Sequence, residues 1–221
     1  MAGLRNDDNK ISEREAMVKE QLIFRGIWNE AVQNSMLAVP RHLFVPENLR
    51  DYAYCDGPLS IGDGQTISQP YIVAYMIEAL DPGKDDVVLE IGTGSGYAAA
   101  VLSRLVSKVY TIERLASHAK RAETLLKKLN YNNIEVITGD GTKGLPEQAP
   151  FDKIIVSAGA SVTPKSLLEQ LNMGGRLVIP LGTRDSQELL LISKDMHGDI
   201  KKRNLGSVRF VPLIGDEGWE R

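Results

Sequence analysis

The sequence predicts an α/β fold: a doubly wound, mostly parallel seven-stranded sheet with an antiparallel far edge and an N-terminal helical extension. Three observations lead there. From residue 87 onward, short apolar runs bounded by turn residues alternate with helical stretches, the grammar of βαβ units. The first run leads directly into a glycine-rich turn, Gly92-Thr93-Gly94-Ser95-Gly96, that opens a helix. Near the carboxyl end only seven residues separate Leu181 from Leu189. A parallel crossover needs about a dozen, so those two runs should be antiparallel neighbours.

Taken in order, residues 1–11 are polar and expected to fray. Ser12 and Glu15 read as a capping box for a helix reaching Arg25, with Met17, Val18, Leu22, Ile23 and Phe24 on its apolar face. Gly26 should end it in a left-handed conformation. Asn29 caps a second helix carrying Val32, Met36 and Val39, and Pro40 stops it. Residues 40–68 read as a long irregular stretch, which inside a compact unit is usually functional. Pro70 suits the first turn of a helix running to about Leu80, and Asp81-Pro82-Gly83 reads as a turn. Strands are predicted at 87–91, 108–112, 134–138, 153–157, 176–181, 189–192 and 207–213, the last after a turn at His197-Gly198-Asp199. Helices are predicted at 97–105, 116–129 and 164–171. Residues 1–80 should pack as helices and a substrate loop on a cofactor domain at 81–221, together forming one compact unit.

Composition excludes more than it selects. The chain has 221 residues, 43% hydrophobic and 25% charged, as a soluble globular protein should. Its 26 Lys and Arg against 29 Asp and Glu leave a charge of −3, without the basic surplus of a nucleic-acid binder. One cysteine, Cys55, rules out an intrachain disulfide and a multi-thiolate zinc site, and no metal is expected. No apolar run approaches the roughly 20 residues of a membrane span, and the N-terminus lacks the apolar core of a signal peptide. The expectation is a cytoplasmic monomer with neither nucleic acid nor membrane as partner.

The glycine turn carries the chemistry. Its glycines let backbone approach a ligand closely, and a helix start offers free amides. A dinucleotide fingerprint would place its third glycine where Tyr97 stands. Gly92, Gly94 and Gly96 after an apolar strand, with Glu90 two places ahead, look instead like the S-adenosylmethionine loop of a class I methyltransferase. Thr93 and Ser95 belong to the same turn. Glu113, 21 positions after Gly92 at a strand end, suits two ribose hydroxyls; alone it reads equally as a cap or surface charge. Asp140, beside Gly141 after the third strand, suits an adenine amino group; alone it is an ordinary turn aspartate.

On the acceptor side, Thr66 and Ser68 stand just before the helix that Pro70 opens. Their hydroxyls suit an anion, although a simple helix cap is the commoner use of such residues. Here the chain resembles the protein-L-isoaspartate (D-aspartate) O-methyltransferase family. The likeness is carried in order by Val39-Pro40-Arg41-His42-Leu43-Phe44-Val45-Pro46, Gly64-Gln65-Thr66-Ile67-Ser68-Gln69-Pro70 and Leu89-Glu90-Ile91-Gly92-Thr93-Gly94-Ser95-Gly96-Tyr97. It continues through Gly139-Asp140-Gly141, 149–152, 174–180 and 208–213, and covers about residues 12–218. The Thr-Ile-Ser-x-Pro segment singles out this family, whereas many methyltransferases share the glycine loop. Ser157-Ala158-Gly159-Ala160-Ser161 departs from the usual alanine-rich stretch ending in Pro, and Leu59-Ser60 from a frequent Leu-Pro.

The resemblance implies a class I methyltransferase with a Rossmann-like fold and S-adenosyl-L-methionine as cofactor, S-adenosyl-L-homocysteine being the product. The substrate implied is the α-carboxylate of L-isoaspartyl residues in damaged peptides and proteins. The methyl ester then cyclises to a succinimide, whose hydrolysis returns some normal aspartate. Ser68 is implied as the active-site serine, with Thr66, Gln65 and Val211 in the substrate site. Such a carboxyl is ionised at neutral pH, so no general base is needed, and His42, His118 and His197 are read as spectators. Residues 208–213 and the 40–68 stretch are expected to line a groove for an extended chain. Arg41 and Arg209 are possible contacts there, with structural or surface pairing the more ordinary use of each. Two rivals share the cofactor loop: an RNA or small-molecule methyltransferase, and a non-catalytic cofactor-binding module. The acidic balance disfavours RNA, and the Thr66–Ser68 pair argues against a module without chemistry.

Overall fold

The structure, a computed structural model, describes residues 10–220; of the stretch 1–11 expected to fray, residues 1–9 lie outside the described residues, whereas Lys10 stands at the N-cap of the first helix and Ile11 opens it. The first helix, α1 (Ile11–Ala16), continues as a π-helix (Met17–Leu22) and a 3-10 turn (Ile23–Arg25). The expected capping box does not form. Lys10 is the N-cap residue and Ser12 already lies inside the helix, past the position from which its hydroxyl could take an end amide. Gly26 closes the segment with φ 89°, as its glycine predicts. Helix α2 (Glu30–Ala38) is capped by Asn29, whose Oδ1 accepts from Ala31 N at 2.9 Å and Val32 N at 3.2 Å.

The stretch read as irregular is built. Two 3-10 turns (Arg41–Phe44 and Glu47–Tyr52) lead into an antiparallel hairpin of β1 (Leu59–Gly62) and β2 (Gln65–Ile67). Elements this short carry no apolar period for sequence to reveal. Helix α3 (Pro70–Leu80) begins on Pro70, which needs no partner for the N–H it lacks. The following turn spans Gly83 to Asp86, slightly later than expected, because Asp81 itself ends the helix in the left-handed region with φ 51°.

The central sheet comprises β3 (Val87–Ile91), β4 (Lys108–Glu113), β5 (Ile134–Thr138), β6 (Phe151–Val156), β7 (Leu171–Gly182), β8 (Gln187–Lys194) and β9 (Ile200–Val208). Its order is β5-β4-β3-β6-β7-β8-β9, parallel through β7 and antiparallel over the last two pairings. The helices between strands are α4 (Tyr97–Leu102), α5 (Ala116–Lys128) and α6 (Lys165–Gln170), each shorter than read from sequence. One strand was misplaced. The run 207–213 is not the last strand; β9 ends at Val208, and its outer positions are charged and exposed. An edge strand guarded by Lys201, Lys202 and Arg203 has no reason to be apolar, so a search for apolar runs passes over it.

Beyond β9 the chain turns back over the carboxyl ends of the strands. Gly159 N donates to Val211 O and Leu213 N to Gly159 O, both at 2.8 Å. Trp219 then anchors the tail, its ring N–H donating to Gly159 O at 3.0 Å and its backbone N–H to Leu213 O at 2.7 Å. On one face of the sheet, N-terminal Met17, Leu22 and Met36 pack in the same buried cluster as Val88, Val109 and Val178. Arg41 is fully buried there, donating to Ala53 O at 2.7 Å and lying 4.9 Å from the Tyr97 ring centre. Burial lowers its pKa to about 10, so it stays charged at neutral pH as a structural cation.

Candidate functional site

Strand order reverses between β3 and β6, and a cavity opens there at the carboxyl ends of the strands, where such sheets hold ligands. The glycine loop after β3 forms one wall. Gly92, Gly94 and Gly96 all have positive φ (93°, 52° and 85°), a path that suits glycine. Four of the five loop amides are spent internally. Gly92 N and Thr93 N donate to Ile112 O, Gly94 N to Glu113 Oε2, and Gly96 N to Thr93 O. A loop committed in this way does not make a phosphate cradle, which needs its amides free. That separates it from the dinucleotide turn it superficially resembles.

Two acids face this cavity. Glu90, 1% exposed, accepts from Thr111 Oγ1 at 2.6 Å on Oε2, and its Oε1 has no hydrogen-bond partner among the described residues. Burial pushes its pKa up to about 8; the Thr111 hydrogen bond opposes the rise and the nearby Glu113 charge adds to it. With Thr111 donating to Glu90, the short 2.6 Å contact between Thr93 and Thr111 has Thr93 as donor. Glu113 ends β4 with one oxygen on Gly94 N and the other on Leu115 N, both at 2.9 Å. An orphaned buried carboxylate oxygen fits a cationic group, and the second carboxylate fits hydroxyl donors. The residues therefore suit a ligand with an ammonium and a ribose.

Gly141 lines the cavity beside Ile91; a Cβ there would lie 2.5 Å from Ile91 Cγ2, so only glycine fits. Thr93, Ser95, Gln65 and Val211 also line it. Gly96 and Asp140 do not. Gly96 faces outward onto α5, where a Cβ would lie 3.2 Å from Leu126 Cδ1. Asp140 accepts from Thr142 N at 2.9 Å and Thr142 Oγ1 at 2.7 Å on Oδ1, and from Asp216 N at 2.9 Å on Oδ2. Burial raises the Asp140 pKa, but these bonds outweigh it and hold the carboxyl below its ordinary value. Its carboxylate ties the tail to the end of β5.

The hairpin and the start of α3 form the opposite wall. A second cavity adjoins the first, reaching from Pro58 to Arg209 and Phe210. Four residues line both: Thr66, Ser68, Ser157 and Val211. Gln69, at the mouth of the second cavity, is held by Asp56, which accepts from its amide at 2.7 Å while pairing with Arg25 at 2.9 Å. Sequence reasoning placed Thr66, Ser68 and Val211 here but did not single out Ser157, which reaches the site because Ser157 N donates to Ile91 O at 2.8 Å. Its place at a strand end, as the first residue of the departing Ser157–Ser161 stretch, was the available signal. Among the described residues, no cluster of three or more His, Cys, Asp or Glu is arranged to hold a metal, and no helix is long and apolar enough to cross a membrane.

The chain is similar to known proteins along nearly its whole length. The protein-L-isoaspartate(D-aspartate) O-methyltransferase family matches over residues 12–218. A protein-L-isoaspartate O-methyltransferase from Pelotomaculum thermopropionicum is 62% identical over 215 residues, spanning 97% of this chain and 94% of its own. Another from Pelobacter propionicus is 55% identical, covering 98% and 95%. Among solved structures, a protein-L-isoaspartate O-methyltransferase superposes with TM-score 0.83 at 30% identity, covering 93% of this chain and 67% of its own. A beta-aspartate methyltransferase from Plasmodium falciparum, solved with S-adenosyl-L-homocysteine, gives TM-score 0.79 at 27% identity over 91% and 98%. By its glycine loop, its paired acids, its Thr66–Ser68 wall and this likeness along its length, the chain belongs to the protein-L-isoaspartate(D-aspartate) O-methyltransferase family of S-adenosylmethionine-dependent enzymes.

Proposed function

We propose that this chain methylates the α-carboxylate of L-isoaspartyl residues, with the first cavity holding S-adenosyl-L-methionine and the second holding the damaged peptide. One observation carries the reading: the two cavities meet at Thr66, Ser68, Ser157 and Val211, so a donor and an acceptor group can be brought together there. Glu90, Glu113, Gly92, Thr93, Gly94, Ser95 and Gly141 surround the cofactor, while Gly96 and Asp140 support its walls from behind. When bound, S-adenosyl-L-methionine supplies an electrophilic sulfonium methyl.

The chain's own part is positioning. The incoming carboxylate is already ionised at neutral pH, so no proton needs removing before attack. Thr66 and Ser68 offer neutral hydroxyl donors that orient it, and a neutral donor leaves its oxygen more nucleophilic than an arginine clamp would. Alignment at roughly 3–3.5 Å between reacting atoms then supplies the rate enhancement. Residues 1–80 supply the hairpin and the start of α3 on the acceptor side; 81–221 supply the cofactor loop and, through Ser157 and residues 207–211, the rest of the groove, which takes an extended chain. Radiolabelled methyl transfer to an isoaspartyl peptide and its aspartyl twin tests the reading. Base-labile label on the isoaspartyl form alone is expected, and label on neither refutes it.

A further inference from the structure

His118, read from sequence as a spectator, has a partner 55 positions away. Its side chain is fully buried on α5, and its Nε2 lies 2.9 Å from Asp63 Oδ2 at the tip of the β1–β2 hairpin. Arg121, one turn further along the helix, puts Nη2 3.1 Å from His118 Nδ1 and 3.3 Å from Nε2, over the ring rather than at one lone pair. The same Nη2 donates to Ile61 O at 3.3 Å. Helix α5 thus grips the hairpin at two points, the Asp63 carboxylate and the Ile61 carbonyl.

That grip matters because of what the hairpin covers. A Cβ added to Gly94 would lie 3.5 Å from Ile61 Cδ1 and 3.9 Å from Thr66 O, so the hairpin rests directly on the glycine loop. The exit of that loop packs on the same helix, with Gly96 against Leu126 and Ala122. One helix therefore fixes both the cofactor loop and the strand carrying Gln65 and Thr66. A two-stranded hairpin is marginal by itself, so its position depends on such outside contacts.

We propose that Asp63, His118 and Arg121 form a clasp that holds the acceptor hairpin over the cofactor loop, making Asp63 and His118 a positioning pair for methyl transfer. The inference rests on the function proposed above. It needs no proton transfer from His118, which lines neither cavity. Misplacing Thr66 and Ser68 by an ångström is enough to slow a reaction that depends on alignment.

Asp63 is the residue to change, since its side chain is 61% exposed and its φ of 51° suits both glycine and asparagine. Asp63→Gly removes the carboxylate without backbone strain; Asp63→Asn keeps an acceptor oxygen at the same reach. Asp63→Gly is expected to lower kcat on an isoaspartyl peptide by about tenfold at saturating cofactor and peptide. Its melting temperature should move by no more than about 4 °C, and its S-adenosyl-L-homocysteine affinity, by calorimetry, should change less than kcat. Asp63→Asn should restore kcat to within about threefold of the parent, as a retained hydrogen bond would. A parent-like kcat in Asp63→Gly overturns the clasp, and so does an equal loss in both variants. If the parent enzyme itself leaves the isoaspartyl peptide unmethylated, the proposed function fails, a result distinguishable from either.

Discussion

Glu90 Oε2 accepts a 2.6 Å hydrogen bond from Thr111 while its other oxygen, buried at the first cavity, has no partner among the described residues. This carboxyl keeps its proton up to about pH 8 in the fold, but releases it near 4.5 in the unfolded chain. Between those values the folded state binds more protons, so the contribution is full below the lower pH and is lost as pH rises through the upper one. Cofactor-free protein should therefore lose urea resistance from Glu90 as pH rises from 5.5 to 8.5, by at most about 1.4 kcal/mol per pH unit. Glu90→Gln should remove that component. A cationic ligand group in the cavity favours the ionised carboxylate, so cofactor binding near pH 7 should release protons. Calorimetry in buffers of different ionisation enthalpy reads that release, and Glu90→Gln should abolish it.

Ser68→Ala tests the acceptor wall. A hydrogen bond to a charged group contributes about 1.5–3 kcal/mol, so kcat/KM on an isoaspartyl peptide should fall roughly 10- to 150-fold. Cofactor affinity should stay close to the parent's. Full activity at saturating peptide would remove Ser68 from the positioning role.

Asp140→Ala releases Thr142 and the Asp216 amide together. The site is partly exposed, so the expected loss is about 1–2 kcal/mol, read by urea unfolding at pH 7. Since the fold holds the Asp140 carboxyl below its ordinary value, the difference from the parent should shrink as pH falls through the acid range. Cofactor affinity should fall as the tail loosens. Gly215→Ala should reproduce that fall with the carboxylate intact, because a Cβ there collides with Asp140.

Gly96 and Gly64 separate backbone strain from packing. Both have positive φ, 85° and 70°, but a Cβ at Gly64 meets nothing within 4 Å whereas one at Gly96 meets Leu126 at 3.2 Å. Gly64→Ala should cost about 1–2 kcal/mol by strain alone. Gly96→Ala should cost about 1 kcal/mol more, measured by thermal melting.

Much of the fold was legible because buried parallel strands must be apolar. Val87–Ile91 and Ile134–Thr138 were read with the bounds they have, and the seven-residue link before Leu189 required the antiparallel edge that β7 and β8 form. The last strand was misread for the complementary reason, since Ile200–Val208 is an edge whose few apolar side chains are interrupted by Lys201, Lys202 and Arg203. The capping box at Ser12 failed because helix start signals are local, and α1 begins two residues earlier than the signal requires.

Periodicity and turn chemistry act over a few neighbours, so the parallel strands, the glycine loop and the residue types at the site could be read from the sequence alone. It also carried the family likeness through Thr66, Ile67, Ser68 and Pro70. Which carboxylates are committed follows from long-range contacts. Asp140 is drawn to a tail 76 positions away, whereas Glu90 keeps a bare oxygen in the cavity. The tertiary structure alone paired Asp63 with His118 and brought Ser157 beside Ser68. Such meetings depend on how strands are ordered and helices laid across them, which no short stretch of chain records.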